Sequence, residues 1–124
     1  MKIKFVKCSI CGQIVEVVKE TPVPVMCCGQ PMKELIAGEV EASQEKHIPE
    51  YVVEDNIVKV KIGSVEHPMV AEHYIEWIVV ETEKGVQRQH LLPNMKPYAE
   101  FSLHKDDVVK SVYAYCNLHG LWKA

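Results

Sequence analysis

Apolar and polar residues alternate along much of this chain with the two-residue period of β-strands. Ile57–Ile62 shows the period most clearly, because its apolar residues alternate with two lysines. Similar runs separated by turn residues predict further strands over residues 51–54, 74–81, 86–92, 98–103 and 108–115. Residues 38–44 read as a linker or as one further strand, and a helix is expected at most as one turn near residues 70–73. With about seven strands, the pattern predicts an all-β fold, and its closely spaced turns are typical of a β-sandwich.

The first part of the chain, residues 1–37, differs from the rest. Its two apolar runs, residues 3–7 and 14–18, are too short to build a hydrophobic core. Four cysteines accompany them, namely Cys8, Cys11, Cys27 and Cys28. Gly12 follows the Cys-x-x-Cys turn and permits a positive φ there, whereas the adjacent Cys27 and Cys28 would form a disulfide only with strain. The segment therefore predicts a metal site of four thiolates with a distorted tetrahedron, and the spacing alone does not choose between zinc and iron.

Composition and charge narrow the function classes. The chain has 124 residues, 48% of them hydrophobic, which is enough for one ordinary domain or two small ones. A net charge of -3 gives no general attraction to nucleic acid or to an anionic membrane. No apolar run is long enough to span a membrane, and residues 1–8 lack a signal-peptide core. The odd count of five cysteines favours metal ligation over disulfides, so we expect a soluble cytoplasmic protein.

A second set of metal-ligating residues lies in the strand-rich part, residues 38–124. Cys116 and His119 are three positions apart, a spacing that lets a thiolate and an imidazole face one point. Three further histidines, all at expected loops or strand ends, complete the set: His47, His67 and His73. One end of a sandwich could gather these donors. Four imidazoles and one thiolate exceed a closed zinc site and suit a redox metal with one position left open. His90 and His104 have no such neighbours and are read as solvated side chains.

These motifs, in this order along nearly the whole chain, resemble desulfoferrodoxin, the two-iron superoxide reductase family. The motifs are Cys8-x-x-Cys11, Cys27-Cys28, Glu45-Lys46-His47, His67-Pro68-Met69, His73 with Ile75-Glu76-Trp77, and Cys116-Asn117-Leu118-His119-Gly120. The resemblance implies a desulforedoxin-like domain over residues 1–37, with one iron bound by four cysteines. It implies an immunoglobulin-like seven-stranded β-sandwich over residues 38–124, with a second iron and no haem.

The resemblance also implies roles for the residues of the second iron site. His47, His67, His73 and His119 would be equatorial ligands and Cys116 the axial thiolate. The implied reaction is the one-electron reduction of superoxide to hydrogen peroxide. Lys46 would help to attract the anion, and Glu45 would occupy the sixth position of the oxidised iron. A rubredoxin-like electron donor and a homodimer are implied as partners. Two alternatives remain open from the residues alone: a non-enzymatic iron electron carrier and a zinc-bound structural module.

Overall fold

A computed structural model of the protein describes residues 3–124, so the first two residues of the segment predicted over 1–37 lie outside the described residues. The chain divides between Ile36 and Ala37 into two compact units. In the described residues, no helix is both long enough and apolar enough to cross a membrane.

The first unit is built from five short strands. These are β1 (Phe5–Lys7), β2 (Ile14–Glu16), β3 (Met26–Cys27), β4 (Gln30–Pro31) and β5 (Lys33–Glu34). Strands β2, β1 and β5 form an antiparallel sheet in that order, and β3 pairs with β4 as a separate hairpin. Among the described residues of this unit, the buried cluster consists of Val6, Cys8 and Met32, with three partly buried residues packed against it. A core of this size supplies little stabilisation. A bound metal would therefore contribute to the folding of this unit.

The second unit contains one short helix and seven strands. They are α1 (Gln44–His47), β6 (Pro49–Glu54), β7 (Ile57–Ile62), β8 (Ile75–Thr82), β9 (Val86–His90), β10 (Tyr98–Ser102), β11 (Val109–Cys116) and β12 (Gly120–Lys123). The strands form two antiparallel sheets, ordered β10-β7-β6 and β12-β11-β8-β9. Alternate residues of both sheets, including Val58, Val60, Ile78 and Val112, pack into one buried core. This arrangement is a β-sandwich.

The predicted fold class is confirmed, because an all-β chain places a four-cysteine cluster before a β-sandwich. Two details were wrong. The seventh strand is β12 and not residues 38–44; residues 38–43 are irregular, with turns and bends, as the linker alternative expected, and Gln44 begins α1. The Gly38 N–H bonds to the Leu121 carbonyl of β12 at 2.9 Å. A strand of four residues is too short for its alternation to be read from sequence.

The single helical turn is α1 and not residues 70–73, where Val70 and His73 form an isolated antiparallel bridge. Three of the four residues of α1, Gln44, Glu45 and Lys46, are good helix formers. Pro49 follows closely and forces Ile48 into the extended conformation, which ends the helix after one turn.

The pairing of β11 with β8 positions the chemistry. Tyr115 faces Trp77 but Cys116 faces Ile75, so one residue of β8 is skipped at the end of the ladder. Such a bulge redirects the side chains next to it. It places Cys116 beside the start of β8, directly after the loop that carries His67 and His73.

Candidate metal centres

The four cysteines of the first unit form one cluster. Their sulfur atoms all lie within 4.8 Å of one another. The Cys11–Cys27 and Cys27–Cys28 sulfur pairs are 3.6 and 4.0 Å apart. Four thiolates at about 2.3 Å from a tetrahedral ion would be about 3.8 Å apart, whereas a disulfide requires about 2.05 Å. The spacing fits a tetrahedral metal site and departs from the regular edge by only about 0.2 Å in these two pairs.

Backbone conformation explains how adjacent cysteines can share one ion. Cys27 ends β3, and Cys28 and Gly29 form a two-residue turn with φ values of 51° and 73°. Positive φ at both central positions is the mark of a tight type I′ hairpin turn. Gly12, which follows the first cysteine pair, has a φ of 82°. The positive φ that a glycine permits at this turn is therefore confirmed.

Two backbone donors prepare Cys8 for the thiolate form. The N–H groups of Cys11 and Ile10 point at the Cys8 sulfur, 3.5 and 3.4 Å away, and lower the pKa of its thiol to about 6. Hydrogen bonds with Cys11 and Cys8 instead raise the pKa of Cys27 to about 12. Without a cation the Cys27 thiol therefore holds its proton, and a bound metal would replace that proton.

The second unit brings together the other predicted donors. One ligating atom from each of His47, His67, His73 and Cys116 lies within 4.8 Å of the other three. His119 joins this group, because its Nδ1 is 3.1 Å from His47 Nε2 and 3.8 Å from the Cys116 sulfur. His90 and His104 are exposed and belong to neither cluster in the described residues.

The four imidazole rings form a square. Neighbouring rings have centroids 4.6–5.0 Å apart and meet at 79–87°. His47 and His73 face each other across the square with centroids 6.2 Å apart and an interplanar angle of 29°. Nitrogens held at right angles about 2.1 Å from an ion would be about 3.0 Å apart, against about 3.4 Å in a tetrahedron. The 3.1 Å separation between His47 Nε2 and His119 Nδ1 is closer to the right-angled arrangement, and the 3.2 Å separation between His47 Nε2 and His67 Nε2 lies midway between the two.

Hydrogen bonds to the backbone fix which ring nitrogens are free to ligate. His47 Nδ1 lies 2.6 Å from the Ser43 carbonyl, and His67 Nδ1 lies 2.7 Å from the Pro68 carbonyl. A carbonyl only accepts, so each Nδ1 donates its hydrogen and each Nε2 presents a lone pair. These two Nε2 atoms face each other at 3.2 Å with no proton between them. The repulsion between the lone pairs is relieved by a cation, so the donor set fits a metal ion.

The buried ring nitrogen of His73 points to the same conclusion. His73 Nε2 is buried and has no hydrogen-bond partner among the described residues. A buried polar atom without a partner costs about 1–3 kcal/mol. Coordination of a metal would satisfy this atom.

Burial favours the neutral, ligating form of His47, His67 and His73. It lowers the pKa of His67 to about 4 and lowers the pKa values of His47 and His73. Burial raises the pKa of the Cys116 thiol, and backbone N–H groups of Leu118 and His119 partly offset that rise. A cation at the centre would supply the remaining stabilisation of the thiolate.

The predicted catalytic residues Glu45 and Lys46 lie on α1, immediately before His47. Both side chains are exposed, and the Glu45 carboxylate is not among the clustered donors. Gly63 holds this helix in place, since its N–H bonds to the Ile48 carbonyl at 3.1 Å. A Cβ at Gly63 would meet the Val65 and Glu45 carbonyl oxygens at 2.4 and 2.7 Å, and its φ is +83°.

Sequence reasoning missed two residues that shape the second centre. Gly63 is one, and its only signal is a glycine directly after a well-formed strand. Asn117 is the other: its side chain bonds to the backbone on both sides of His73. Its position between Cys116 and His119 is visible in the sequence. Its hydrogen-bond partners are 43 and 45 residues away, so they cannot be recognised from the sequence.

The family model described as Desulfoferrodoxin matches residues 39–124. The chain belongs to the desulfoferrodoxin family. The model described as the desulfoferrodoxin N-terminal domain matches residues 2–35, so the two models together span nearly the whole chain. Both metal centres therefore lie in segments that the desulfoferrodoxin models match.

Individual relatives agree with the family. A desulfoferrodoxin homolog of Archaeoglobus fulgidus is 48% identical over 95% of this chain and 93% of that protein. The desulfoferrodoxin of Nitratidesulfovibrio vulgaris is 43% identical over 95% of this chain and 92% of its own length. The crystal structure of the superoxide reductase from Treponema pallidum is 36% identical, covers 100% of this chain and 99% of that chain, and has a TM-score of 0.85.

Proposed function

We propose that this protein is a superoxide reductase, which adds one electron and two protons to superoxide and releases hydrogen peroxide. Residues 1–37 would form an iron domain with four cysteine ligands, and residues 38–124 would form the domain that carries the reaction. The second centre would bind iron through His47, His67, His73, His119 and Cys116. Two iron ions per chain follow from the two clusters.

One observation carries the proposal: a square of four imidazole rings beside a buried cysteine. Five soft or borderline donors exceed a closed zinc site and suit a metal that changes oxidation state. Iron in that centre would supply one electron to superoxide by passing from the ferrous to the ferric state. The resemblance to the Treponema pallidum superoxide reductase supports superoxide as the substrate.

Lys46 would attract superoxide to the second centre. Its ammonium is exposed on α1, next to His47, so it can meet an incoming anion. Its charge reaches the site: burial is the largest cause of the lowered pKa of His73, and the positive charge of Lys46 lowers that pKa further. The chain as a whole carries a net charge of -3, so attraction of an anion has to be local.

Glu45 would ligate the oxidised iron and leave on reduction. A hard carboxylate suits ferric iron better than ferrous iron. The exposed side chain of Glu45 is two residues before His47, on a helix of one turn.

The four-cysteine centre would stabilise a unit that has very little core of its own. We further propose a rubredoxin-like electron donor, a homodimer and a cytoplasmic location. Family resemblance supports the first two. Cysteine usage supports the third, because all five cysteines are free and four of them form one metal cluster.

Metal analysis with an optical spectrum of the oxidised and reduced protein tests the metal assignment. Two iron ions per chain and a coloured protein are expected, whereas a colourless zinc protein would refute an iron enzyme.

Rapid mixing of the reduced protein with superoxide tests the reaction. Peroxide without a matching yield of oxygen is expected. A dismutase would release oxygen as well, and an electron carrier would not consume superoxide rapidly.

Cys116→Ser tests the second centre as the site of reaction. Replacing the buried thiolate with a hydroxyl removes its negative charge, so rapid superoxide consumption should be lost. The spectrum of the four-cysteine centre should be unchanged. Leu118→Ala, an exposed side chain in the same hairpin, is the control and should retain the wild-type rate.

A further inference from the structure

We propose that Asn117 is a positioning residue that fixes His73 relative to Cys116 and His119. The inference rests on the proposed second metal centre. Asn117 lies between the donors Cys116 and His119 in the chain. Its side chain bonds to the backbone of the two residues that flank a third donor, His73.

The side-chain amide of Asn117 bonds on both sides of His73. Its Oδ1 accepts a hydrogen bond from the Tyr74 N–H at 2.9 Å, and its Nδ2 donates to the Glu72 carbonyl at 3.0 Å. The backbone N–H of Asn117 adds a third bond, to the Tyr74 carbonyl at 3.2 Å. Three hydrogen bonds from one residue therefore hold the two neighbours of His73.

His73 needs this support more than the buried histidines His47 and His67 do. The rings of His47 and His67 each donate to a backbone carbonyl, which fixes their orientation directly. Within residues 3–124, the hydrogen bonds of His73 are made by its backbone, to and from Val70 at 3.1 and 3.0 Å. Its buried Nε2 has no partner there. The orientation of this ring thus depends on how firmly its backbone is held.

Asparagine is suited to this place because its amide carries a donor and an acceptor on one planar group. Aspartate would keep the acceptor for Tyr74 and lose the donor to Glu72, and alanine would lose both. Asn117 is half-buried and its bond to Tyr74 is partly buried, so water replaces that bond poorly, whereas the bond to Glu72 is exposed. Through them, His73 is tied to the hairpin that carries Cys116 and His119, and three of the five donors are held as one body.

Iron release from the full-length, iron-loaded protein to a chelator tests the proposal. Outer-shell partners of metal ligands typically contribute 10–100-fold in metal affinity, so Asn117→Ala should release iron from the second centre at least about tenfold faster. Asn117→Asp, which keeps the size of the side chain, should lie between this variant and the wild type. The four-cysteine centre of the same molecules is an internal control and should release iron at the wild-type rate.

Gln87→Ala is the matched control variant. It also removes a side-chain amide that donates to a backbone carbonyl, that of Ser102 at 2.7 Å, but on a strand away from the donors. It should leave iron release unchanged. Hydrogen exchange of the loaded protein provides a second readout: the amides of Val70 and His73 should exchange faster in Asn117→Ala than in Gln87→Ala.

Release and exchange that match the wild type in both Asn117 variants would overturn the positioning role and leave the proposed function standing. Equal acceleration at both metal centres would also overturn it, because that result indicates general loss of stability. A wild-type protein that binds no metal at the second centre would overturn both the positioning role and the proposed function.

Discussion

His47 and His67 each donate a ring hydrogen bond to a carbonyl within four residues along the chain. Each histidine therefore carries its orienting partner with it, and only the placement of the whole segment remains to be fixed by the fold. Lys46 and Glu45 differ from them, since both are exposed and are placed only by the backbone of α1. At the scale of the residue, these two donors are oriented by their own hydrogen bonds, whereas the charged groups beside them are exposed.

Lys46→Ala should slow the second-order reaction of the reduced protein with superoxide by about tenfold at low ionic strength. The ammonium attracts the anion, and salt screens that attraction, so the difference from wild type should shrink as ionic strength rises. Rapid mixing over a range of salt concentrations measures both effects. Lys105→Ala, which removes an exposed charge from a distant turn, should behave as wild type. A salt-independent defect would contradict an electrostatic role.

Glu45→Ala should leave the rate of superoxide reduction nearly intact but change the absorption spectrum of the resting oxidised protein. The carboxylate is proposed to ligate only the ferric form, so its loss does not affect the reduced protein that meets superoxide. Glu41→Ala removes an exposed carboxylate nearby and should leave the spectrum unchanged. An unaltered spectrum in Glu45→Ala would remove the ligand assignment.

At the scale of the element, two short pieces of structure deliver most of the donors. Helix α1 ends in His47, and the β11–β12 hairpin carries Cys116 and His119 around its turn. Neither piece is stable alone, because a single helical turn and a four-residue strand both depend on packing. Gly63 locks α1 against the end of β7, and Trp122 of β12 bonds to the His119 carbonyl at 3.1 Å and lies against the His47 ring.

Gly63→Ala should displace α1 and weaken the second centre. The added Cβ would lie 2.4 Å from the Val65 carbonyl oxygen, and the positive φ alone costs on the order of 1–3 kcal/mol for a residue other than glycine. Chemical denaturation should show the lower stability, and iron should be lost faster from this centre than from the four-cysteine centre. Gly85→Ala is the matched control, because nothing lies within 4 Å of its Cβ. Equal results for the two variants would contradict the role of Gly63.

At the scale of the whole molecule, the two units obtain their stability in different ways. The first has three buried residues in its cluster, whereas the second has a core of thirteen that spans both sheets. The metal-free second unit keeps a folded sandwich but also keeps buried, neutral histidines at one end of it. Loss of metal should therefore damage the first unit through its folding and the second through its sensitivity to acid.

The metal-free protein should lose stability as the pH falls from about 6.5 towards 4. The unfolded state binds a proton on His67 near pH 6.5, but burial lowers the pKa in the folded state to about 4. Between these values the unfolded state holds more protons, so stability is present above pH 6.5 and is lost on acidification. Denaturant unfolding at several pH values measures the slope. His67→Gln should reduce it and the exposed His90→Gln should not; equal slopes would contradict burial as the cause.

The strands of the sandwich could be predicted because they are long and alternate regularly, as in Ile57–Ile62. The cysteine pairs and the Cys116–His119 spacing could also be recognised as metal ligands, because few residue types bind metals and they often lie a few positions apart. The position of the single helical turn and the presence of strand β12 could not be predicted. Both are four residues long, and their conformation is decided by neighbours and not by a local period: Gly63 and Pro49 for the helical turn, and the pairing with β11 for β12.

The partners of the donors could not be predicted for a different reason. Asn117 bonds to residues more than forty positions earlier, and the pairing exists only after β11 has docked on β8 with its register shift. The local sequence shows that this asparagine lies between two donors in a turn, but it does not show which distant backbone groups the side chain bonds to. The sequence indicates which atoms can ligate, and the tertiary structure decides which residues hold them.

The order of the donors along the chain has a consequence for biosynthesis. The four cysteines are complete once residue 28 has been made, but the second set is complete only with His119. Chains emerge from the ribosome with the amino-terminal part first. The nascent protein can therefore load its first metal while most of the sandwich is still untranslated, and the centre proposed to react with oxygen species cannot assemble until the sandwich around it is almost finished.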